Sequence, residues 1–167
     1  MAYEGGLPGE GWEKGMKKHT HDGQIKSGAA VFEGDKGGGR IANGVLALTD
    51  SGGQKIGDLK KVERTSPTLG AKPPAGATVL FDIGQGTEEF AGGHLDNRGL
   101  LAAGSTTKKK FQNFSMHLEF LLPFKPLGRG QDRGNSGVYL QDRYEIQVLD
   151  SFGLKGEDNE CGGIYST

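Results

Sequence analysis

The polar cluster between Arg133 and Asp150 contains residue types that can move a proton or hold a hydroxyl-rich ligand. Glu145 and Gln147 are two residues apart, so on a β-strand their side chains share one face, about 7 Å apart. Arg133 and Asn135 lie at the preceding strand entrance, and loops at such positions commonly carry functional residues. The cluster is therefore the candidate site, although a polar strand face can also simply face solvent.

Asp150 lies five residues beyond Glu145 and would point to the opposite face of an unbroken strand. It joins the Glu145 face only where a bulge or the strand end intervenes. The spacing Glu-x-Gln-x-x-Asp is similar to the Glu-x-Asp-x-x-Glu strand of laminarinase-type glucanases. Because Gln147 stands where the middle carboxylate would be, a two-carboxylate retaining mechanism is disfavoured.

Alternating apolar and polar residues predict the β-strands that would position this cluster. Period 2 is clear in 111–121, where the apolar face has Phe114, Met116, Leu118 and Phe120. Residues 137–141 and 143–149 are two further apolar runs that meet at 141–143, which predicts a hairpin. Short strands with glycine turns and no amphipathic helix indicate an all-β sandwich or jelly roll.

The rest of the chain divides by composition into two parts. Residues 1–65 are glycine-rich and predict a small segment of β-hairpins of unknown role, with strands at 29–33 and 44–49 and a turn at Asn43-Gly44. Residues 66–76 contain paired prolines and predict a linker. A domain from 77 to 167 follows, and 77–82 is expected to be its first strand.

Charge and hydropathy limit the partners. The chain has 20 basic and 21 acidic residues and a net charge of −1, which argues against a nucleic-acid partner. No window reaches the ~18 apolar residues of a membrane span. The N-terminal residues lack the basic and apolar regions of a signal peptide, so we expect either a cytosolic protein or a signal outside this sequence.

Two residue pairs are weak metal candidates: His19 and His21, for which a third ligand is not evident, and His117 and Glu119, which could instead line the concave side of the sandwich or face solvent. His19 and His21 would share one strand face, and so would His117 and Glu119. The metal site is therefore unknown, and a divalent metal stays a candidate cofactor. Cys161 is the one cysteine and is expected to be a small packed thiol rather than a nucleophile.

Four blocks in the C-terminal half carry a resemblance to a known family. They read FQNFSMHLEF from 111, RGNSGVYL from 133, YEIQVLDS from 144 and GGIY from 162. They resemble the 3-keto-disaccharide hydrolase family, whose members are also described as 3-keto-glucoside lyases and 3-keto-2-hydroxy-glucal hydratases. The resemblance covers roughly 77–167 and implies a concanavalin-A-like jelly roll in a periplasmic or extracellular bacterial protein. Because the family domain continues further, we expect this chain to hold only an N-terminal part of the jelly roll.

The resemblance also implies a reaction and roles. A base would remove the C2 proton that a C3 ketone acidifies, the anomeric group would leave, and water would add to the glucal. The partner would be a saccharide or 3-keto-saccharide. Glu145 would be the base and Arg133 would stabilise charge. The substrate-binding residues would be Asn135, Tyr139, Gln147 and Asp150.

Two alternatives stay open beside this carbohydrate-active hydrolase or lyase. One is a non-catalytic carbohydrate-binding jelly-roll module that uses the same strand face. The other is an incomplete domain with a residual fold and no activity.

Overall fold

The computed structural model describes residues 2–3, 5 and 11–166, and within them regular structure is β apart from a short 3-10 turn at Gly130–Asp132. All strand pairs are antiparallel, which confirms the predicted all-β class and is consistent with the jelly roll that the resemblance implies. The strands are β1 Ala2–Tyr3, β2 Lys18–His19, β3 Gly23–Lys26, β4 Ala29–Gly34, β5 Gly37–Ala42, β6 Val45–Thr49, β7 Lys55–Lys60, β8 Phe90–Ala91, β9 Thr106–Thr107, β10 Ser136–Leu140 and β11 Tyr144–Val148.

The chain forms two compact units. The first comprises Met1–Thr65 and Phe152–Glu157, and the second comprises Ser66–Ser151 and Asp158–Thr167. Within the described part, no helix is long and apolar enough to cross a membrane.

A five-stranded meander, in the order β3-β4-β5-β6-β7, is the centre of the first unit. The strands predicted at 29–33 and 44–49 are confirmed as β4 and β6. The turn between β5 and β6 has positive φ at Asn43 (50°) and Gly44 (72°), the backbone that an Asn-Gly hairpin turn requires. Strands β3, β5 and β7 were not predicted, because their glycines and exposed polar residues hide the alternation. Pairing with neighbouring strands outweighs that weak propensity.

The longest strands of the second unit are β10 and β11, which form a hairpin. Its register pairs Val138 with Ile146 and Leu140 with Tyr144, and the connection has positive φ at Gln141 (57°) and Asp142 (52°). The predicted hairpin is therefore confirmed. The end of β11 leads into the core, where Val148 is 7% exposed and the following Leu149 is 1% exposed.

Two predicted strands of the second unit are wrong, since neither 77–82 nor 111–121 belongs to a strand. Among the described residues, no backbone–backbone hydrogen bond joins 111–122 to another segment. Alternation produces a strand only when a neighbour takes up the backbone N–H and C=O groups. Side-chain bonds tie the segment instead, because Glu119 Oε1 accepts from the Gly70 N–H (2.8 Å) and lies 3.2 Å from His117 Nε2.

Candidate active site

The hairpin has two faces, and the polar candidates lie on one of them. Cross-strand partners share a face, so Tyr139 stands beside Glu145 and Gly137 beside Gln147. A third segment extends this face on the other side of β11. There Ile164 forms an antiparallel bridge with Ile146, and the Tyr165 N–H donates to the Glu145 carbonyl oxygen at 2.9 Å.

Glu145 is held on this face by a phenol. The Tyr139 hydroxyl donates to Glu145 Oε2 at 2.8 Å. The bond to the carboxylate is the main cause that raises the pKa of the Tyr139 phenol above its usual value, since ionising the phenol would break it and place two negative charges together. The structure thus brings together Glu145, the expected base, and Tyr139, one of the expected substrate-binding residues.

A glycine makes this arrangement of Glu145 possible. A Cβ at Gly137 would stand 2.0 Å from Glu145 Oε1 and 2.5 Å from its Cγ. The carboxylate therefore lies against the bare backbone of β10, where a larger residue would displace it.

We expect Gly137→Ala to move the Glu145 side chain and break its bond to Tyr139. The pKa of Tyr139 should then fall towards its usual value, because the stabilisation of the neutral phenol is lost. A spectrophotometric titration of the phenols, with Tyr139→Phe to identify the signal of Tyr139, measures this. An unchanged titration of Tyr139 would contradict the expected displacement.

Arg133 and Asp150 pair with each other beyond the end of the hairpin. Arg133 Nη2 donates to Asp150 Oδ1 at 2.9 Å, and Arg133 Nε donates to the Asp150 carbonyl oxygen at 2.9 Å. The Asp150 N–H returns a bond to the Arg133 carbonyl oxygen at 3.1 Å. Strand β11 ends at Val148, so Asp150 lies beyond the regular pairing, where its orientation is set by Arg133. The arginine side chain is 16% exposed and the aspartate side chain 39%.

Gln147 is buried, with only 1% of its surface exposed, and belongs to a cluster of hydrogen-bonded amides whose other members are less buried. Its Nε2 donates to Gln131 Oε1 (3.0 Å) and to the Asn159 carbonyl oxygen (3.2 Å). Gln131 donates to that same Asn159 oxygen at 2.8 Å and accepts from Asn135 Nδ2 at 3.0 Å. The cluster consequently joins two of the predicted ligand-binding residues, Asn135 and Gln147, through Gln131.

Three residues of this region were missed from the sequence. Gln131 lies in the short 3-10 turn and Asn159 in a loop, and hydrophobic periodicity cannot place either of them. Tyr165 belongs to the GGIY block of the family resemblance, but its pairing beside β11 is a long-range contact that only the fold reveals.

The remaining candidates are the possible metal ligands and Cys161. Within the described residues, no group of three or more His, Cys, Asp or Glu side chains could hold a metal ion. The His21 ring packs near that of Phe32, with centroids 5.9 Å apart, and His19 is in β2. His117 pairs with Glu119, with His117 Nε2 3.2 Å from Glu119 Oε1. Cys161 is exposed, so the expectation of a packed thiol is wrong.

Comparison with known proteins agrees with the resemblance read from the blocks. No curated protein and no solved structure matches the chain. Residues 76–167 match the family described as the 3-keto-alpha-glucoside-1,2-lyase-like domain. That match covers more than half of the chain, and the chain therefore belongs to the 3-keto-alpha-glucoside-1,2-lyase-like domain family.

Proposed function

We propose that the second unit is a carbohydrate-active domain that cleaves 3-keto-glycosides by elimination and hydration. The observation that carries the proposal is the Glu145 carboxylate, partly exposed on a strand face and oriented by the Tyr139 hydroxyl at 2.8 Å. Family membership supports the substrate class. A periplasmic or extracellular location is part of the proposal and rests on the family resemblance.

In the proposed reaction the Glu145 carboxylate removes the proton from C2 of the 3-keto sugar. The electron pair of that C–H bond forms the enolate with the C3 oxygen. The enolate then expels the anomeric substituent, which takes up a proton as its bond to C1 breaks and a C1–C2 double bond forms. Addition of water across that double bond gives the free 3-keto sugar.

Arg133 has the charge to stabilise the enolate oxygen, and its contact with Asp150 fixes the direction of its guanidinium. Tyr139 keeps the Glu145 side chain in one orientation by its hydrogen bond. Asn135 and Asp150 are proposed to bind sugar hydroxyls. Gln147 is proposed to act on the substrate indirectly, since its buried amide bonds Gln131 and Asn159.

The test is incubation of the chain with a 3-keto-disaccharide. We expect release of a monosaccharide, detected by chromatography. The corresponding disaccharide without the ketone is the control and should stay intact, because its C2 proton is not acidified.

A carbohydrate-binding module is the second candidate, and one observation favours it. Tyr139 is 62% exposed on the candidate face, as an aromatic residue of a sugar-binding surface would be. Saturable binding of the 3-keto-disaccharide without release of monosaccharide would select the module over the enzyme.

A further inference from the structure

A second tyrosine lies on the face that presents Glu145. Tyr165 follows the residue that bridges β11, and its N–H donates to the Glu145 carbonyl oxygen at 2.9 Å. In an antiparallel ladder this places residue 165 opposite residue 145, with both side chains on one face. Tyr165 is 37% exposed, so much of its ring surface is open to solvent.

Tyr139, Glu145 and Tyr165 therefore form one row across three neighbouring segments. Adjacent segments of a sheet are about 4.8 Å apart, so the two tyrosines stand about 10 Å apart with the carboxylate between them. The pKa of Tyr139 is raised mainly by its hydrogen bond to Glu145, and the smallest of the contributing causes is electrostatic repulsion from Tyr165. A carboxylate between two aromatic side chains is a surface suited to a ring with an apolar face and polar edges.

The position of Tyr165 depends on backbone hydrogen bonds and on the buried side chain of Gln147. The Gln147 N–H donates to the Gly163 carbonyl oxygen, and the Gly162 N–H donates to the Gln147 carbonyl oxygen, both at 2.9 Å. The side chain of Gln147 bonds the same loop through the carbonyl oxygen of Asn159 at 3.2 Å. The segment that presents Tyr165 is thus fixed against β11 from both the main chain and a buried side chain, which favours a preformed surface over a frayed end.

We infer that Tyr165 is a substrate-binding residue and that it forms with Tyr139 an aromatic pair that receives the apolar C–H face of a pyranose beside Glu145. The inference rests on the proposed function, because it takes the ligand to be a saccharide. Tyr165 would thus contact the sugar by stacking, and that contact does not require the Tyr165 hydroxyl.

Binding of a methyl 3-keto-glucoside, measured by calorimetry on the full chain, tests the inference. Tyr165→Ala should bind roughly tenfold more weakly, the effect of leaving on the order of 60 Å² of apolar surface unburied. Tyr165→Phe keeps the ring and should bind as the unaltered chain does. Tyr144→Ala is the matched control, since Tyr144 is on the opposite face of β11 at 47% exposure, and its affinity should not change.

The inference is overturned if Tyr165→Ala binds with the affinity of the unaltered chain, or if Tyr144→Ala loses as much affinity as Tyr165→Ala. The proposed function still stands in either case, provided that the unaltered chain cleaves the sugar. If the unaltered chain neither binds nor cleaves it, both fail. Should Tyr165→Ala not unfold cooperatively, Tyr165→Leu replaces it, because leucine keeps apolar volume without a planar face. A KM raised roughly tenfold in Tyr165→Ala, with kcat within about twofold, is the expected kinetic counterpart.

Discussion

Glu145→Gln should reduce turnover of a 3-keto-glucoside by roughly a thousandfold, the size of effect expected when a positioned general base is lost. The amide keeps the shape of the side chain and can still accept a hydrogen bond from the Tyr139 hydroxyl, which now donates to Glu145 Oε2 at 2.8 Å. It cannot take the C2 proton. Binding of the 3-keto sugar should therefore change much less than kcat, because most contacts to the ligand remain.

The Tyr139 phenol supplies an independent readout of the same substitution. Its pKa is raised chiefly by the hydrogen bond to the Glu145 carboxylate and further by the negative charge of that group. A bond to a neutral amide is weaker and brings no charge, so the pKa of Tyr139 should fall towards its usual value in Glu145→Gln. This result needs no substrate and shows that the substitution reached the intended group. Turnover that stays normal after the phenol titration has shifted would exclude Glu145 as the base.

Asp142→Asn is the matched control for Glu145→Gln. Asp142 is an exposed carboxylate in the turn of the same hairpin, with a φ of 52° that asparagine also tolerates. The substitution removes one negative charge from the hairpin without touching its polar face. We expect unchanged turnover and an unchanged pKa of Tyr139. An equal loss of activity in both variants would attribute the effect to net charge rather than to proton abstraction.

The hairpin that presents the site could be predicted because its information is local. Alternating residues flank the short turn at 141–143, and the observed strands differ from the predicted ones by one residue at each end. Hydrogen bonds within such a hairpin join residues close in sequence, so the pattern alone specifies the pairing. The sharing of one face by Glu145 and Gln147 follows from the same periodicity.

Burial and non-local pairing could not be predicted in that way. Periodicity places Glu145 and Gln147 together, yet one is partly exposed and the other has 1% of its surface exposed. The difference arises from the loop carrying Asn159, which lies twelve residues further along and bonds the Gln147 amide. The apolar alternation of 111–121 is as clear as that of the hairpin, but a strand also needs a neighbour for its backbone groups. Sequence patterns describe one segment at a time and do not contain that second requirement.

Gln147→Glu should be the most destabilising single change in this region, by about 4 kcal/mol in the free energy of unfolding at neutral pH. The Gln147 Nε2 amide group now donates to two acceptors, Gln131 Oε1 and the Asn159 carbonyl oxygen. A carboxylate would place negative oxygen against both of them in a site from which solvent is nearly excluded. The segment that carries Tyr165 should also detach from β11, because the Gln147 side chain helps to hold it there.

The instability of Gln147→Glu should depend on pH with a definite sign. Burial and the facing carbonyl oxygens would raise the pKa of the introduced carboxyl in the folded chain above the unfolded value of about 4.3. The folded state then binds the proton more tightly, so the variant should be most stable relative to the unaltered chain below that pH. It should lose stability as pH rises until the folded-state pKa is passed. Urea unfolding at a series of pH values measures the difference between the two chains.

Two further variants separate the charge from the loss of the amide. Gln147→Met removes the donor but also removes Gln147 Oε1, a buried acceptor that has no hydrogen-bond partner among the described residues. An unsatisfied buried acceptor costs about 1–3 kcal/mol, so its removal should offset part of the lost bonds and leave Gln147→Met much milder than Gln147→Glu. Gln141→Glu adds the same charge to the exposed turn and should leave stability nearly unchanged. Equal destabilisation by the methionine and glutamate variants, without a pH dependence, would show that packing rather than the amide hydrogen bonds makes Gln147 necessary.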